Sequence, residues 1–236
     1  MVGLIVLLVA TACRVDTTVD IRVDDDGSGR VAYTVVANAD AVSLLVDDPT
    51  DLRFDDLAAA GWELDGPIAE DGGVTITASK PFLSPEELPG LLDELIGEGV
   101  VFSNVVLEQA HNFSMLGLRP AETSYGFAAD VDPAPDLEIL GDAVIEGLLG
   151  SSLGRSLTRV EEDAGGSFAG SLGLVVNVQL PANVATDSEL GETVDNVVTW
   201  EFSYGDAPTR IDARASIDEI LPLSLIHISE PTRQKP

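Results

Sequence analysis

Positive charge is scarce in this sequence. Lys and Arg number 12 against 41 Asp and Glu, a formal net charge of −29. Such a surface repels phosphate backbones and excludes a nucleic-acid partner. It also gives no electrostatic footing on anionic lipid headgroups. Cysteine is nearly absent: Cys13 stands alone, so neither an intramolecular disulfide nor a thiolate-based metal site can form. Histidine is scarce, with only His111 and His227. There is no Walker lysine motif and no dinucleotide-binding glycine fingerprint. Apolar residues are plentiful. At 45% of the chain they are enough to bury a real core.

The chain opens on MVGLIVLLVATAC, an apolar run that ends in small residues. A transmembrane helix needs roughly 20 residues, so this run is too short to span a bilayer and reads as the core of a secretory signal. Ala10-Thr11-Ala12-Cys13 has the form of a bacterial lipobox, in which the cysteine thiol takes a diacylglycerol group and becomes the new N-terminus. Two acyl chains suffice for stable anchoring. The run departs from that form in two ways. Ala10 stands where leucine is usual, and Met1–Val9 carries no Lys or Arg, which places the expected start codon upstream. The rival reading is an ordinary cleavage site over Ala10–Ala12 that leaves Cys13 as a free thiol. The expectation is residues 1–13 as signal peptide with lipobox, Cys13 as the lipidation site, and the outer face of a membrane as the location.

Beyond Cys13 the pattern is mostly one of strands. Val15, Thr17, Val19, Ile21 and Val23 alternate with polar residues, then DDDGSG intervenes, then Val31, Tyr33 and Val35 alternate again, a β-hairpin. In this turn Asp24, Asp26, Ser28 and Gly29 imitate the start of a calcium loop. Its last ligand position falls on Val35, where a bidentate Glu is required, so a plain turn is expected and no metal site. Two short helices are expected next, over Ala39–Leu45 and after Thr50, the second with Phe54, Leu57 and Ala58 on one face and Gly61 as its stop. Strands follow from Trp62 to Gly66 and through Val74, Ile76 and Ala78. The strongest helical signal comes next. Ser84 and Glu87 form a capping box, Pro85 takes the first position, and Leu88, Leu91, Leu92, Leu95 and Ile96 repeat with helical spacing up to Gly97. Pro89 is expected to distort the first turn.

Val105–Phe113 and Ser124–Val131 read as a strand pair, and Asp136–Leu149 as a second amphipathic helix. RVEEDAGGSFAG reads as a loop, with Gly165-Gly166 the best candidate break. Strands follow over Leu172–Leu180, Val198–Tyr204 and Ile211–Ile217. Alternation means one wet and one dry sheet face, so the expected fold is α+β, an antiparallel sheet with two to four helices packed on one face.

The hairpin with its DDDGSG turn, the GWELDG segment with Gly61 and Trp62, the LSPEEL helix start and the late block VQLPANV…TVDNVVTWEFSYGD together resemble the LppM family of actinobacterial envelope lipoproteins. The likeness covers roughly Cys13–Ile217. In the late block Leu180-Pro181 precedes a strand with Trp200 and a turn at Gly205. The resemblance implies an exported, N-terminally lipid-anchored domain over residues 14–222. It also implies an association with envelope glycolipids of the phosphatidylinositol mannoside class and with host cells, and a transmembrane helix near the C-terminus that this chain lacks. The tail Leu223–Arg233, LSLIHISEPTR, matches residue for residue the translation of a transposase adapter used in sequencing libraries. Residues 223–236 are therefore set apart as an artefactual tail. The natural gene is expected to continue past Pro222 into a spacer and a transmembrane helix.

No catalytic residue is expected. Gly150–Gly154 matches the nucleophile-elbow pattern, but a helix is expected before it where a strand is needed, and the only later histidine is His227, inside the tail. His111 reads as a structural histidine. Glu161, Glu162 and Asp163 read as a solvated loop. Trp62, Trp200, Phe202 and Tyr204 read as core, with an apolar pocket as the alternative. If a lipid binds, it is expected between the apolar sheet face and the helices. The expectation is a non-catalytic protein without cofactor, held to a membrane by Cys13, whose exported domain binds a lipid or glycolipid. The alternative is a protein-interaction or assembly module with a dry core.

Overall fold

The computed structural model describes residues 14–45, 55–97, 99–112, 121–133 and 172–219. Cys13, Thr50, Phe54, the expected helix 136–149, the motif at 150–154, the loop at 165–166 and the tail lie outside the described residues.

The chain forms β1 Val15–Val23, β2 Gly29–Ala37, α1 Ala39–Leu45, α2 Asp55–Ala59, β3 Glu63–Glu70 and β4 Gly73–Phe82, then α3 Leu88–Ile96, β5 Phe102–Asn112 and β6 Ala121–Val131. After residue 171 come β7 Leu172–Gln179, β8 Glu192–Val194, β9 Val197–Ser203 and β10 Thr209–Glu219. Among the described residues, seven strands make one sheet in the order β3-β4-β2-β1-β7-β9-β8, and three make a second in the order β10-β6-β5.

This architecture corrects the expected α+β fold. The described residues are dominated by strands in two sheets, with three short helices, and the sheets are not wholly antiparallel: β1 pairs in parallel with β7, Val15 with Leu172 through Arg22 with Gln179. The reason is physical. Alternation specifies a dry face but not what covers it. Here the dry face of one sheet is covered largely by the dry face of the other. Val19, Ile21, Val23, Val176, Val178, Trp200 and Phe202 from the larger sheet join Phe127, Ala129, Val131, Ile211 and Ala213 from the smaller in one buried cluster. Burial of each such large side chain contributes about 1.5–3 kcal/mol.

One helix does pack into this core. Leu88, Leu91, Leu92, Leu95 and Ile96 of α3 are all buried. Its start differs from a capping box. Ser84 is extended and its side chain caps nothing, Pro85–Glu87 form a single 3-10 turn, and Glu87 Oε2 accepts from the Leu83 N–H at 2.9 Å. Pro89 thus sits in the first α-turn, where a missing N–H costs no helical bond. Gly97, at φ +90°, ends the helix.

The β1–β2 turn closes on itself. Asp24 N–H donates to Ser28 O at 2.8 Å, and Asp26 Oδ1 accepts from Ser28 N–H at 3.0 Å. On the outer face of the larger sheet, Thr34 and Thr77 hydroxyls meet at 3.1 Å. Beside them Asn177 bridges Asp20 and Thr199 at 2.8 Å each.

Candidate functional site

The smaller sheet has one face in the core and one free of any described element. On β6, Tyr125, Phe127, Ala129 and Val131 point inward and are buried, so Ser124, Gly126, Ala128 and Asp130 point outward. On β10, Ile211, Ala213 and Ala215 are buried, which turns Arg210, Asp212, Arg214 and Ser216 outward. Register sets these residues in rows. Arg210 lies beside Asp130, Asp212 beside Ala128, which faces Val106, and Arg214 beside Gly126, which faces Glu108. The result is an open depression of about 930 Å³ with a floor of small residues and a rim of charge. Asn183 and Ala185 close one edge. Ala185 reaches this sheet through a two-way backbone bridge to Arg214 at 2.8 Å.

A register shift in β5 between Ser103 and Val106 shapes the Arg210 row. Asn104, in this irregularity, has φ +50°, and its Nδ2 donates to Asp130 Oδ2 at 2.8 Å. Bulges of this kind re-aim a side chain. Arg210 donates to the other carboxylate oxygen, Asp130 Oδ1, at 2.9 Å. With both oxygens engaged, the Asn104 amide and then the Arg210 guanidinium hold the Asp130 carboxyl below its usual range. Arg214 pairs with Asp187 at 2.9 Å and with Asp212 at 3.5 Å. The face thus sets donors beside acceptors in one plane.

A smaller open depression of about 300 Å³ lies where α3 meets β5, lined by Pro89, Asp93, Phe102 and Asn104.

Three of the four aromatic residues that the sequence assigns to the core lie there. Trp62, Trp200 and Phe202 are buried in the core cluster, and Tyr204 is half-buried. The expected ligand space between sheet and helices is occupied in the described core by Phe82, Leu88, Leu92, Phe127 and Trp200. Trp200 Nε1 is buried there without a hydrogen-bond partner among the described residues. His111 Nδ1 lies 2.9 Å from Thr123 Oγ1, a structural contact across β5 and β6. Cys13 lies outside the described residues. No helix among the described residues is long and apolar enough to cross a membrane. Sequence reasoning missed Asn104, Asp130, Arg210 and Arg214. One signal was present: RIDARAS places two of the chain's 12 basic residues on the same face of a strand.

No family model matches the chain, and no curated protein matches it. Among solved structures, it is similar to the NMR structure of the folded domain of LppM from Mycobacterium tuberculosis, at 14% identity and a TM-score of 0.49. The alignment covers 89% of this chain and 94% of that one.

Proposed function

We propose that this chain is a non-catalytic, lipid-anchored envelope protein whose exported domain binds the headgroup of a glycolipid on the open face of the β10-β6-β5 sheet. The observation that carries the reading is the plane of paired guanidinium and carboxylate groups around a floor of small residues. Polyhydroxyl headgroups offer neighbouring donors and acceptors, and a paired Arg–Asp rim answers both. The floor of Ala110, Ser124, Gly126 and Ala128 lets a ring approach the backbone. Acyl chains stay in the bilayer, so no deep apolar cavity is required. The anchor is Cys13 in the lipobox reading. The lipidated state, the glycolipid and the absence of catalysis are all parts of the proposal.

The test is native mass spectrometry of the protein with extracted envelope lipids, alongside a Gly126→Leu variant. A Cβ at Gly126 meets no atom of the described residues within 4 Å, so a larger side chain fills the depression without disturbing the described core. A stoichiometric glycolipid adduct, lost in the variant, supports the reading. A bare protein mass across all lipid fractions overturns it in favour of the protein-interaction module.

A further inference from the structure

We infer that the anchored domain stands on the membrane by one defined end of its larger sheet, with the Arg210–Asp130–Asn104 row at the bilayer-proximal end of the open face. The inference rests on the proposed lipidation of Cys13. It draws its content from the way the next residue is held.

Only Arg14 separates Cys13 from β1. Arg14 is not a loose linker. Its N–H donates to Asn38 Oδ1 at 3.0 Å, its carbonyl accepts from the Asn38 N–H at 3.0 Å, and its Nε donates to Asp16 at 2.7 Å. Each residue of extended chain reaches at most about 3.5 Å. A lipid on Cys13 therefore holds the start of β1 within a residue or two of the headgroups. A domain on a long linker samples every orientation, and one tethered this closely does not.

Register shows what shares that end. Val15 pairs with Ala37 and Leu172, and Ala37 pairs with Val74, next to the β3–β4 turn that follows Glu70. Tyr204, just after β9, donates its N–H to Leu172 O at 3.0 Å. Tyrosine suits a membrane interface, where its ring and hydroxyl face different media. The other end holds the Asp24–Ser28 turn and Leu83, which is 80% exposed. Nine residues of β1 set the two ends about 30 Å apart.

The smaller sheet runs the same way. β10 begins at Thr209, shortly after Tyr204, and Ala215 lies opposite Tyr125, whose hydroxyl bonds the Asp25 carbonyl at the far end. The Arg210 row therefore lies toward the bilayer and the Ser216–Ser124 row away from it. A lipid still seated in the bilayer can raise its headgroup to the near row without leaving the membrane.

Cys13 is the only cysteine, so acylation leaves no free thiol and an engineered one is unique. The full chain, preceded by a basic n-region that completes the secretory signal, is made in a lipidating host, reconstituted into vesicles that carry a paramagnetic headgroup quencher, and labelled at Glu70→Cys for the near end or at Asp25→Cys for the far end. Both positions are exposed. Several-fold stronger quenching at the Glu70 position, equalised by a flexible Gly/Ser insertion between Cys13 and Arg14, supports the orientation. Equal or reversed quenching in protein that floats with the vesicles overturns the orientation and leaves the anchor reading intact. Labelling of the unsubstituted chain at Cys13, with protein that does not float, overturns the anchor reading and the orientation with it.

Discussion

Tyr125 of the smaller sheet donates its hydroxyl to the backbone carbonyl of Asp25, in the hairpin turn of the larger sheet, at 2.5 Å. The two residues are remote in sequence, and their bond fastens the far end of one sheet to the other. Gln109 Nε2 reaches the same carbonyl at 3.1 Å. Tyr125→Phe removes one donor and leaves the carbonyl its other partner, so the expected loss is about 1–1.5 kcal/mol. A shift in the denaturation midpoint at unchanged slope checks it.

Two glycines separate backbone strain from open space. Gly27 sits in the same turn at φ +83°, and a Cβ there would lie 2.6 Å from Gln109 Oε1. Gly27→Ala is expected to cost about 1–2 kcal/mol, mostly as strain, because the glutamine tip can move. Gly126 lies in a strand, and a Cβ there meets no atom of the described residues within 4 Å. Gly126→Ala is expected to stabilise by roughly 0.5–1 kcal/mol through the entropy of the unfolded chain. Equal effects of the two substitutions would contradict both assignments.

Trp62 Nε1 and Lys80 Nζ share one acceptor, Glu94 Oε2, at 3.1 and 2.6 Å, and Lys80 also donates to Ala60 O at 2.8 Å. The ammonium lies 5.7 Å from the centre of the Trp62 ring. This cluster ties α3 to β4 and to the turn before β3. A double-mutant cycle with Lys80→Met and Glu94→Gln is expected to give a coupling of about 0.5–1 kcal/mol, reduced by salt, because the carboxylate remains partly exposed.

The Asp130 carboxyl lies below its usual range in the folded protein, first through Asn104 and then through Arg210. A group of this kind stabilises the fold at pH above its unfolded value, and the contribution disappears as pH falls through its folded value. Asp130→Asn is therefore expected to be less stable than the unsubstituted protein at neutral pH, with the difference closing in acid. Denaturation midpoints measured from neutral pH into the acid range decide this. A gap that stays constant removes the assigned role.

Much of this fold was legible locally. The hairpin of β1 and β2, the pairing of β5 with β6, and the strands β4, β7, β9 and β10 all follow from alternation, and α3 from its leucine spacing. The short β8 carries too few residues to show a period. The Ser84–Glu87 pattern marks the helix start, but the bonding there is not that of a capping box. Glu87 bonds Leu83, a choice made by the 3-10 turn that Pro85 begins.

Alternation alone sets which side chains avoid water: Val19, Ile21, Val176, Val178, Trp200 and Ile211 are inward in any sheet it allows. Composition likewise sets the acidity, a formal net charge of −29. What lies against those inward faces is set by long-range packing. The parallel pairing of Val15 with Leu172 joins residues far apart in the chain, and no local pattern encodes such a partner. The same holds for the open face. Arg210, Asp130 and Asn104 come from three strands and meet only because register and a shift in β5 align them. A period of two fixes the side of a strand on which a residue stands, and long-range pairing chooses its neighbours.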